Sequence, residues 1–184
     1  MRNTRVAKRY AQSLLDAAIE HDALDAVVAS VRLVRAALAE SAPLRALLRN
    51  PVIAAERKQS ILRAIFAERV HPLVEAFLHL VCLKGRENLL DLIADEFIAL
   101  YNQRAGIVAA RAIAAVPLPD DLRARVEHVV AQRFGGTPQI TYQVEPALLG
   151  GLVIECGDVR LDASLAGALA RLRKQLLFLN GKQT

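Results

Sequence analysis

Apolar residues recur at a helical spacing through the first hundred positions of the chain. Between residues 4 and 21 they return every four positions, as Val6, Tyr10, Leu14 and Ala18. Polar and charged residues fill the opposite face, which is typical of an amphipathic helix. Similar patterns predict helices over residues 22–40, 41–50, 56–69, 72–84 and 87–105, with Asp22 as the N-cap of the second. Six helices with short connections predict an antiparallel bundle.

The fifth predicted helix is apolar on nearly every side. Its sequence is "PLVEAFLHLVCLK", over residues 72–84. A helix of this kind lies at the centre of a bundle or is covered on a second side by a partner. The pattern is compatible with both arrangements and does not distinguish them.

The hydrophobic pattern changes after Gly106. "GIVAARAIAAV" has no helical stripe and precedes Pro117 and Pro119, so it predicts a strand. A helix is expected over residues 120–134, followed by a strand in "ITYQVE". We therefore expect an α+β protein that is mainly α. A six-helix bundle over residues 1–105 would be followed by a small mixed domain over residues 106–184.

A β-hairpin and a helix start are predicted in "GLVIECGDVRLDAS", residues 151–164. Gly157 and Asp158 suit a two-residue type II′ turn, which needs a positive φ at its first central residue. That register pairs position 156 with 159, 155 with 160 and 154 with 161, matching apolar with apolar and acid with base. Ser164 is the expected N-cap of the last helix, with Asp162 as the rival cap. We assign structural roles to these four residues and to Gly150 and Gly151.

No catalytic, cofactor or metal site is expected. A site built from Cys156, Asp158 and Ser164 is disfavoured because Asp162 stands where a nucleophile elbow requires glycine. The glycine spacing fits neither a dinucleotide loop nor a P-loop, and the four histidines show no ligand spacing. Cys82 and Cys156 form no CxxC pair, which fits a reducing compartment.

Composition leaves one alternative function open. The 184 residues carry a net charge of +5 with a pI of about 9.6, so a small helical adaptor with a basic nucleic-acid-binding surface is an alternative. The cations are scattered among 19 acids, whereas phosphate binding needs them concentrated on one face. We therefore expect no nucleic-acid partner. No transmembrane segment and no signal peptide are expected either.

Two surface patterns have both structural and functional interpretations. Leucines of the last helix follow a 4-3-4-3 spacing, at Leu165, Leu169, Leu172, Leu176 and Leu179. This row packs on the local sheet or docks a partner helix. Glu87, Asp91 and Asp95 form an acidic row, which is either a solvated face or a contact for a basic partner.

Four segments resemble one known family along the whole chain. They are "RYAQSLLDAA" at 9–18, "RNP" at 49–51, "KGRENLLDLI" at 84–93 and "LLGGLVIECGDVRLDASLAGAL" at 148–169. The chain resembles the delta subunit of F-type ATP synthases, whose mitochondrial counterpart is the oligomycin-sensitivity-conferring protein. Ala163 and Ala168 stand where the family commonly has Gly and Arg, which puts the contacts of the last helix in doubt.

The resemblance implies a non-catalytic stator subunit in the peripheral stalk. Such a subunit links the catalytic head to the membrane-anchored b subunits, so that rotation and hydrogen-ion transport are coupled to ATP synthesis. The first domain would bind the N-terminal helix of an alpha subunit in a groove between the first and fifth helices. The residues expected there are Tyr10, Leu14, Val74, Phe77, Leu78 and Val81.

The second domain would hold the C-terminal end of the b subunits. Leu172, Leu176 and Leu179 are the residues expected at that contact. The implied location is peripheral, at the cytoplasmic face of the bacterial inner membrane and held there through the complex.

Overall fold

The computed structural model describes the backbone of residues 2–180 and the side chains of residues 3–175. It confirms a mainly helical α+β chain. Two compact units divide between Tyr101 and Asn102. The helices are α1 (Arg2–Glu20), α2 (Leu24–Glu40), α3 (Ala42–Arg49), α4 (Ala55–Phe66), α5 (Pro72–Leu83), α6 (Leu90–Ala105), α7 (Asp120–Phe134) and α8 (Leu165–Asn180). The strands are β1 (Ile107–Ala114), β2 (Thr137–Val144), β3 (Leu152–Cys156) and β4 (Val159–Asp162).

A mainly aliphatic core holds the described part of the N-terminal unit together. Every helix from α1 to α6 contributes to it, with Phe66 and Phe97 as its largest fully buried side chains. Alanines such as Ala7 and Ala11 are fully buried on α1. Their small side chains let α1 lie close to its neighbours, as expected for a chain poor in aromatic residues.

The second helix begins without the cap that the sequence predicts. Ala23 is its N-cap and makes no side-chain hydrogen bond. Asp22 instead lies in the turn before it, with a φ of +50°. Short polar residues such as Asp tolerate this left-handed conformation, so Asp22 reverses the chain and is not free to cap. The next helix does begin with a side-chain cap, because the Ser41 hydroxyl accepts from the Leu44 N–H at 3.3 Å at the start of α3.

One buried ion pair crosses the N-terminal unit. The Lys58 ammonium of α4 donates to Glu87 Oε1 at 2.6 Å and to the Leu48 carbonyl of α3 at 3.0 Å. Glu87 lies in a 3-10 turn, Glu87–Leu89, that leads into α6. The ammonium therefore connects the end of α3, the start of α4 and the entry to α6.

The C-terminal unit is a four-stranded mixed sheet in the order β2-β1-β3-β4. β1 and β2 are parallel, and α7 makes the crossover between them. β3 pairs antiparallel with β1 and with β4. Val126 and Val130 of α7 pack on Ala110, Ala112 and Ile154 of the sheet. The β2 strand begins at Thr137, three residues before the alternating pattern predicts.

The predicted hairpin is confirmed in its register. Position 156 pairs with 159, 155 with 160 and 154 with 161. Gly157 has a φ of +55°, as the first central residue of a type II′ turn requires, and Asp158 follows it in the turn. Glu155 binds Arg160 at 3.2 Å and also Arg111 on β1, so its carboxylate joins three strands.

The junction between the hairpin and α8 depends on Ser164 and a close backbone contact. The Ser164 hydroxyl accepts from the Gly167 N–H at 3.0 Å, which makes it the N-cap. Asp162 does not cap the helix; its Oδ1 accepts from the hydroxyl and N–H of Ser164 at 2.6 and 2.9 Å. Gly151 has a φ of +72°, and a Cβ there would lie 2.2 Å from the Ala163 carbonyl. The Gly150 carbonyl accepts from the Leu165 N–H at 3.0 Å. Gly151 therefore allows the close approach of residue 163 because it has no Cβ, and Gly150 binds the first turn of α8 through its carbonyl.

Candidate partner-binding surfaces

An apolar surface spans the line where α1 meets α5. Tyr10 of α1 contacts Phe77 of α5 edge to face, with ring centroids 6.3 Å apart. On α5 the row continues through Leu73, Leu80 and Leu83 at intervals of three and four residues, which places them on one side of the helix. Leu80 and Leu83 are 44% and 63% exposed. We call these five residues the α1–α5 surface.

Four of the six groove residues expected from the sequence lie in the core instead. Leu14, Val74, Leu78 and Val81 are buried within the N-terminal unit. Their side chains therefore pack mainly on their own unit, although Leu78 also lines an opening beside α4. Tyr10 and Phe77 are half-buried, with one side on the core and the other at the surface.

Helix phase explains this difference. Because α5 is apolar on almost every side, its sequence does not mark which leucines face inward. The structure turns Val74, Leu78 and Val81 inward, leaves Leu80 and Leu83 outward and holds Leu73 half-buried at the edge of the core. Spacing does not separate the two sets, because 74, 78 and 81 repeat the i, i+4, i+7 intervals of 73, 77 and 80.

A second apolar surface lies on α8. Leu165, Leu169 and Leu172 are 56%, 57% and 52% exposed and form what we call the α8 leucine row. The first turn of α8 is held by the Ser164 cap and the Gly150 carbonyl. The row itself does not pack on the local sheet at these positions. The side chains of Leu176 and Leu179 lie outside the described residues.

The acidic row of the sixth predicted helix is accounted for by pairing within the chain. Asp91 binds Arg49 at 2.6 Å, Asp95 binds Arg35, and Glu87 binds Lys58. Each carboxylate already has a cation on another helix, so no basic partner is needed to explain the row.

The α4 side of α5 also carries an opening, with a volume of about 350 Å³. Leu62, Phe66 and Leu78 form its apolar floor. Arg63 and Glu75 lie at its edge with 3.5 Å between guanidinium and carboxylate. These opposite charges offset each other at that edge.

Cys156, Asp158 and Ser164 do not form a reactive site. Ser164 is 2% exposed, and its hydroxyl is engaged by Asp162 and Gly167. Cys156 ends β3 and packs against the core of the C-terminal unit, while Asp158 lies exposed in the turn.

Among the residues that the structure describes, no group of His, Cys, Asp and Glu side chains is arranged to hold a metal ion. No helix in that part of the chain has the length and apolarity to cross a membrane.

The structure is a mainly helical α+β chain with an apolar surface on α1 and α5 and another on α8. The family model described as ATP synthase delta (OSCP) subunit matches residues 6–176. The protein called ATP synthase subunit delta in Salinibacter ruber is 33% identical to this chain, over 96% of this chain and 93% of its own length. The protein of the same name in Caulobacter vibrioides is 36% identical, over 92% of this chain and 93% of its own length. One from Synechococcus elongatus is 38% identical over 89% of this chain and 91% of its own length.

A solved structure shows the same fold. A chain in the cryo-EM structure of the Toxoplasma gondii mitochondrial ATP synthase hexamer superposes with a TM-score of 0.73 at 24% identity, covering 93% of this chain and 97% of that one. The protein therefore belongs to the ATP synthase delta (OSCP) subunit family. It is a non-catalytic stator subunit of the F-type ATP synthase, and the resemblance seen in its sequence is confirmed.

Proposed function

We propose that the N-terminal unit binds the N-terminal helix of an alpha subunit through the α1–α5 surface. The observation that carries this proposal is a row of apolar side chains on α5 beside Tyr10, in which Leu80 and Leu83 are exposed and Leu73 and Phe77 are half-buried. In helix-in-groove recognition a docked amphipathic helix lays its apolar face against such apolar side chains. An exposed apolar row of this kind marks an interaction surface.

The proposal is tested by placing a charge on the surface without disturbing the core. Leu80→Asp should weaken binding of a synthetic peptide of the alpha N-terminal helix by at least about tenfold in calorimetry, which corresponds to about 1.4 kcal/mol. Leu92→Asp is the matched control, because Leu92 is an exposed leucine of α6 in the same unit. Circular dichroism should show both variants folded. Equal affinity of Leu80→Asp and Leu92→Asp would exclude this surface.

We further propose that the C-terminal unit binds the C-terminal end of the b subunits through α8. The exposure of the α8 leucine row supports this, because more than half of each of these leucines is left uncovered by the described part of the chain. The chain would then connect the catalytic head to the membrane-anchored stalk.

The α8 contact is tested by a pull-down assay with a segment from the C-terminal end of b as bait. Leu169→Asp should reduce capture of the protein by that segment, because it places a charge in the middle of the α8 leucine row. Leu122→Asp on α7 should leave capture unchanged, since Leu122 is a partly exposed leucine outside the row. Equal capture of the two variants would argue against docking on α8.

The proposed location is the cytoplasmic face of a bacterial inner membrane, reached through the complex. Relatives in Salinibacter ruber and Caulobacter vibrioides support a bacterial setting. In fractionation, the protein should sediment with membranes that contain the ATP synthase and should be released when the catalytic head is stripped. Retention after complete removal of the head and the b subunits would contradict a location held by the complex.

A further inference from the structure

The exposed part of α8 carries a one-sided charge as well as an apolar row. Between residues 163 and 180 the chain has three cations, Arg171, Arg173 and Lys174, and no acid. All three are exposed, and none forms a salt bridge with another described residue. Asp162 lies near enough to Arg171 to feel its charge, but no acid lies close to Arg173 or Lys174 on α8 itself, so a partner that covers the leucines also meets a positive helix.

The cations differ in their position relative to the leucines. With about 100° per residue, Arg173 lies roughly 70° from the centre of the α8 leucine row, and Lys174 lies nearly opposite it. In heptad terms the leucines occupy a and d, Arg173 an e position and Lys174 the outward f position. Residues at e and g face the flank of a partner helix and set partner choice. Ala168 and Gln175 hold the g positions of the described segment and carry no charge.

We propose that α8 selects an acidic amphipathic helix as its partner, with Arg173 as the specificity-determining residue. This inference rests on the proposed docking role of α8 and adds the charge of the segment that docks there. A carboxylate facing Arg173 would gain an ion pair at the rim of an apolar contact, whereas a lysine there would be repelled. The cations would also speed encounter with an acidic partner.

The same features disfavour other occupants. A second copy of α8 would bring cations against cations, since the helix has no acid to offer in exchange. A membrane surface calls for a broad apolar face, but the leucine row covers only about 60° of the helix circumference, against the roughly 100° or more of a typical apolar stripe. A narrow a/d row instead fits one partner helix.

The test compares two designed peptides on the full-length protein. Both are about three heptads long with leucine at a and d, and they differ only in having Glu or Lys at every e and g position. We expect the Glu peptide to bind more tightly than the Lys peptide by about tenfold in fluorescence anisotropy at low salt. The ratio should shrink at about 0.5 M salt, because exposed charges are screened. Equal affinities, or tighter binding of the Lys peptide, would overturn the proposal.

A matched pair of variants separates flank recognition from net charge. Arg173→Glu should abolish or reverse the preference, whereas Lys174→Glu makes the same change in net charge and should keep most of it. Equal losses in the two variants would contradict a role for Arg173. Binding of α8 to vesicles containing anionic lipid in competition with the Glu peptide would also overturn the proposal in favour of a membrane surface.

The result is distinguishable from failure of the proposed function. A chain that captures the segment of b but shows no preference for the Glu peptide loses only the inference about charge. A chain that prefers the Glu peptide but fails to capture the segment of b loses the proposed b contact and keeps the acidic specificity of α8.

Discussion

At the scale of single residues, the environment of Cys82 makes its thiol inert. Burial raises the pKa of the Cys82 thiol to about 11, and the Glu87 carboxylate adds to the rise while Lys58 opposes it. The thiolate is the reactive form, so Cys82 is neutral and unreactive at neutral pH. Cys156 is only half-buried at the end of β3.

We predict that the two thiols react at very different rates. In native protein at about pH 8, where a free thiol is partly ionised, a disulfide reagent such as DTNB should modify Cys156 first and Cys82 only as the N-terminal unit opens. Since the folded state holds the Cys82 proton more tightly, this effect lowers the free energy of unfolding as pH rises from 9.0 towards about 11. A Cys82→Ser variant should lose that part of the alkaline decline. Fast modification of Cys82 in the Cys156→Ser protein would contradict this account.

Ser164 supports α8 in two ways. Its hydroxyl accepts from the Gly167 N–H and so caps the helix. The hydroxyl and the N–H of Ser164 both donate to Asp162 and lower the pKa of that carboxyl, the hydroxyl having the larger effect. We predict that Ser164→Ala destabilises the C-terminal unit by about 1 kcal/mol, the usual cost of losing such a cap. Hydrogen exchange at the first turn of α8 would measure the loss, and Ser60→Ala on α4 is the control.

The pH dependence of this junction has a definite sign. Because the folded pKa of Asp162 is lowered, its stabilisation is present above the unfolded pKa of about 3.8 and is lost as pH falls through the folded value. Protection of the α8 first turn should therefore decline in acid for the parent protein. Ser164→Ala should show a weaker decline, since it lacks the hydroxyl donor to Asp162.

At the scale of elements, the sequence predicts which side of a strand or helix faces the core wherever its hydrophobic pattern allows only one arrangement. The hairpin register follows from alternating partners around Gly157, since a slip by one residue would expose Ile154 and Leu161. On α5 the hydrophobic pattern allows several orientations of the helix, because apolar residues lie on nearly every side of it. The inward side is then decided by packing against the rest of the bundle, so Leu80 and Leu83 could not be identified from sequence alone.

The buried ion pair at the start of α4 gives a prediction for that element. Lys58→Met should destabilise the N-terminal unit by about 3–5 kcal/mol, because it leaves the Glu87 carboxylate buried without its cation. Adding Glu87→Gln should restore part of that stability. Arg63 lies on α4 as Lys58 does and forms an exposed ion pair with Glu75 of α5. Arg63→Met removes that exposed pair and should cost less than about 1 kcal/mol. Thermal unfolding followed by circular dichroism would compare the three proteins, and similar losses for Lys58→Met and Arg63→Met would refute the burial argument.

At the scale of the whole molecule, the sequence predicts the change of pattern between the two units but not the surfaces on which function depends. The shift from helical to alternating spacing near Gly106 separates the parts of the chain. The contact pattern of the structure places the division between Tyr101 and Asn102, since Tyr101 still packs on the N-terminal core and stacks under Arg32. Which apolar residues remain exposed depends on the assembled core, and this is a property of the folded unit.

The N-terminal unit should fold and bind without the rest of the chain. Its core lies entirely between Val6 and Tyr101, so a fragment of residues 1–105 keeps every side chain of that core and the whole α1–α5 surface. We predict that this fragment unfolds cooperatively and binds the peptide of the alpha N-terminal helix within about twofold of the full chain. A fragment of residues 1–92 loses Ile93 and Phe97, two of the largest buried side chains, and should neither fold nor bind. If the 1–105 fragment folds but binds the peptide at least about tenfold more weakly, the alpha contact also needs the C-terminal unit, and the assignment of that contact to α1 and α5 alone is wrong.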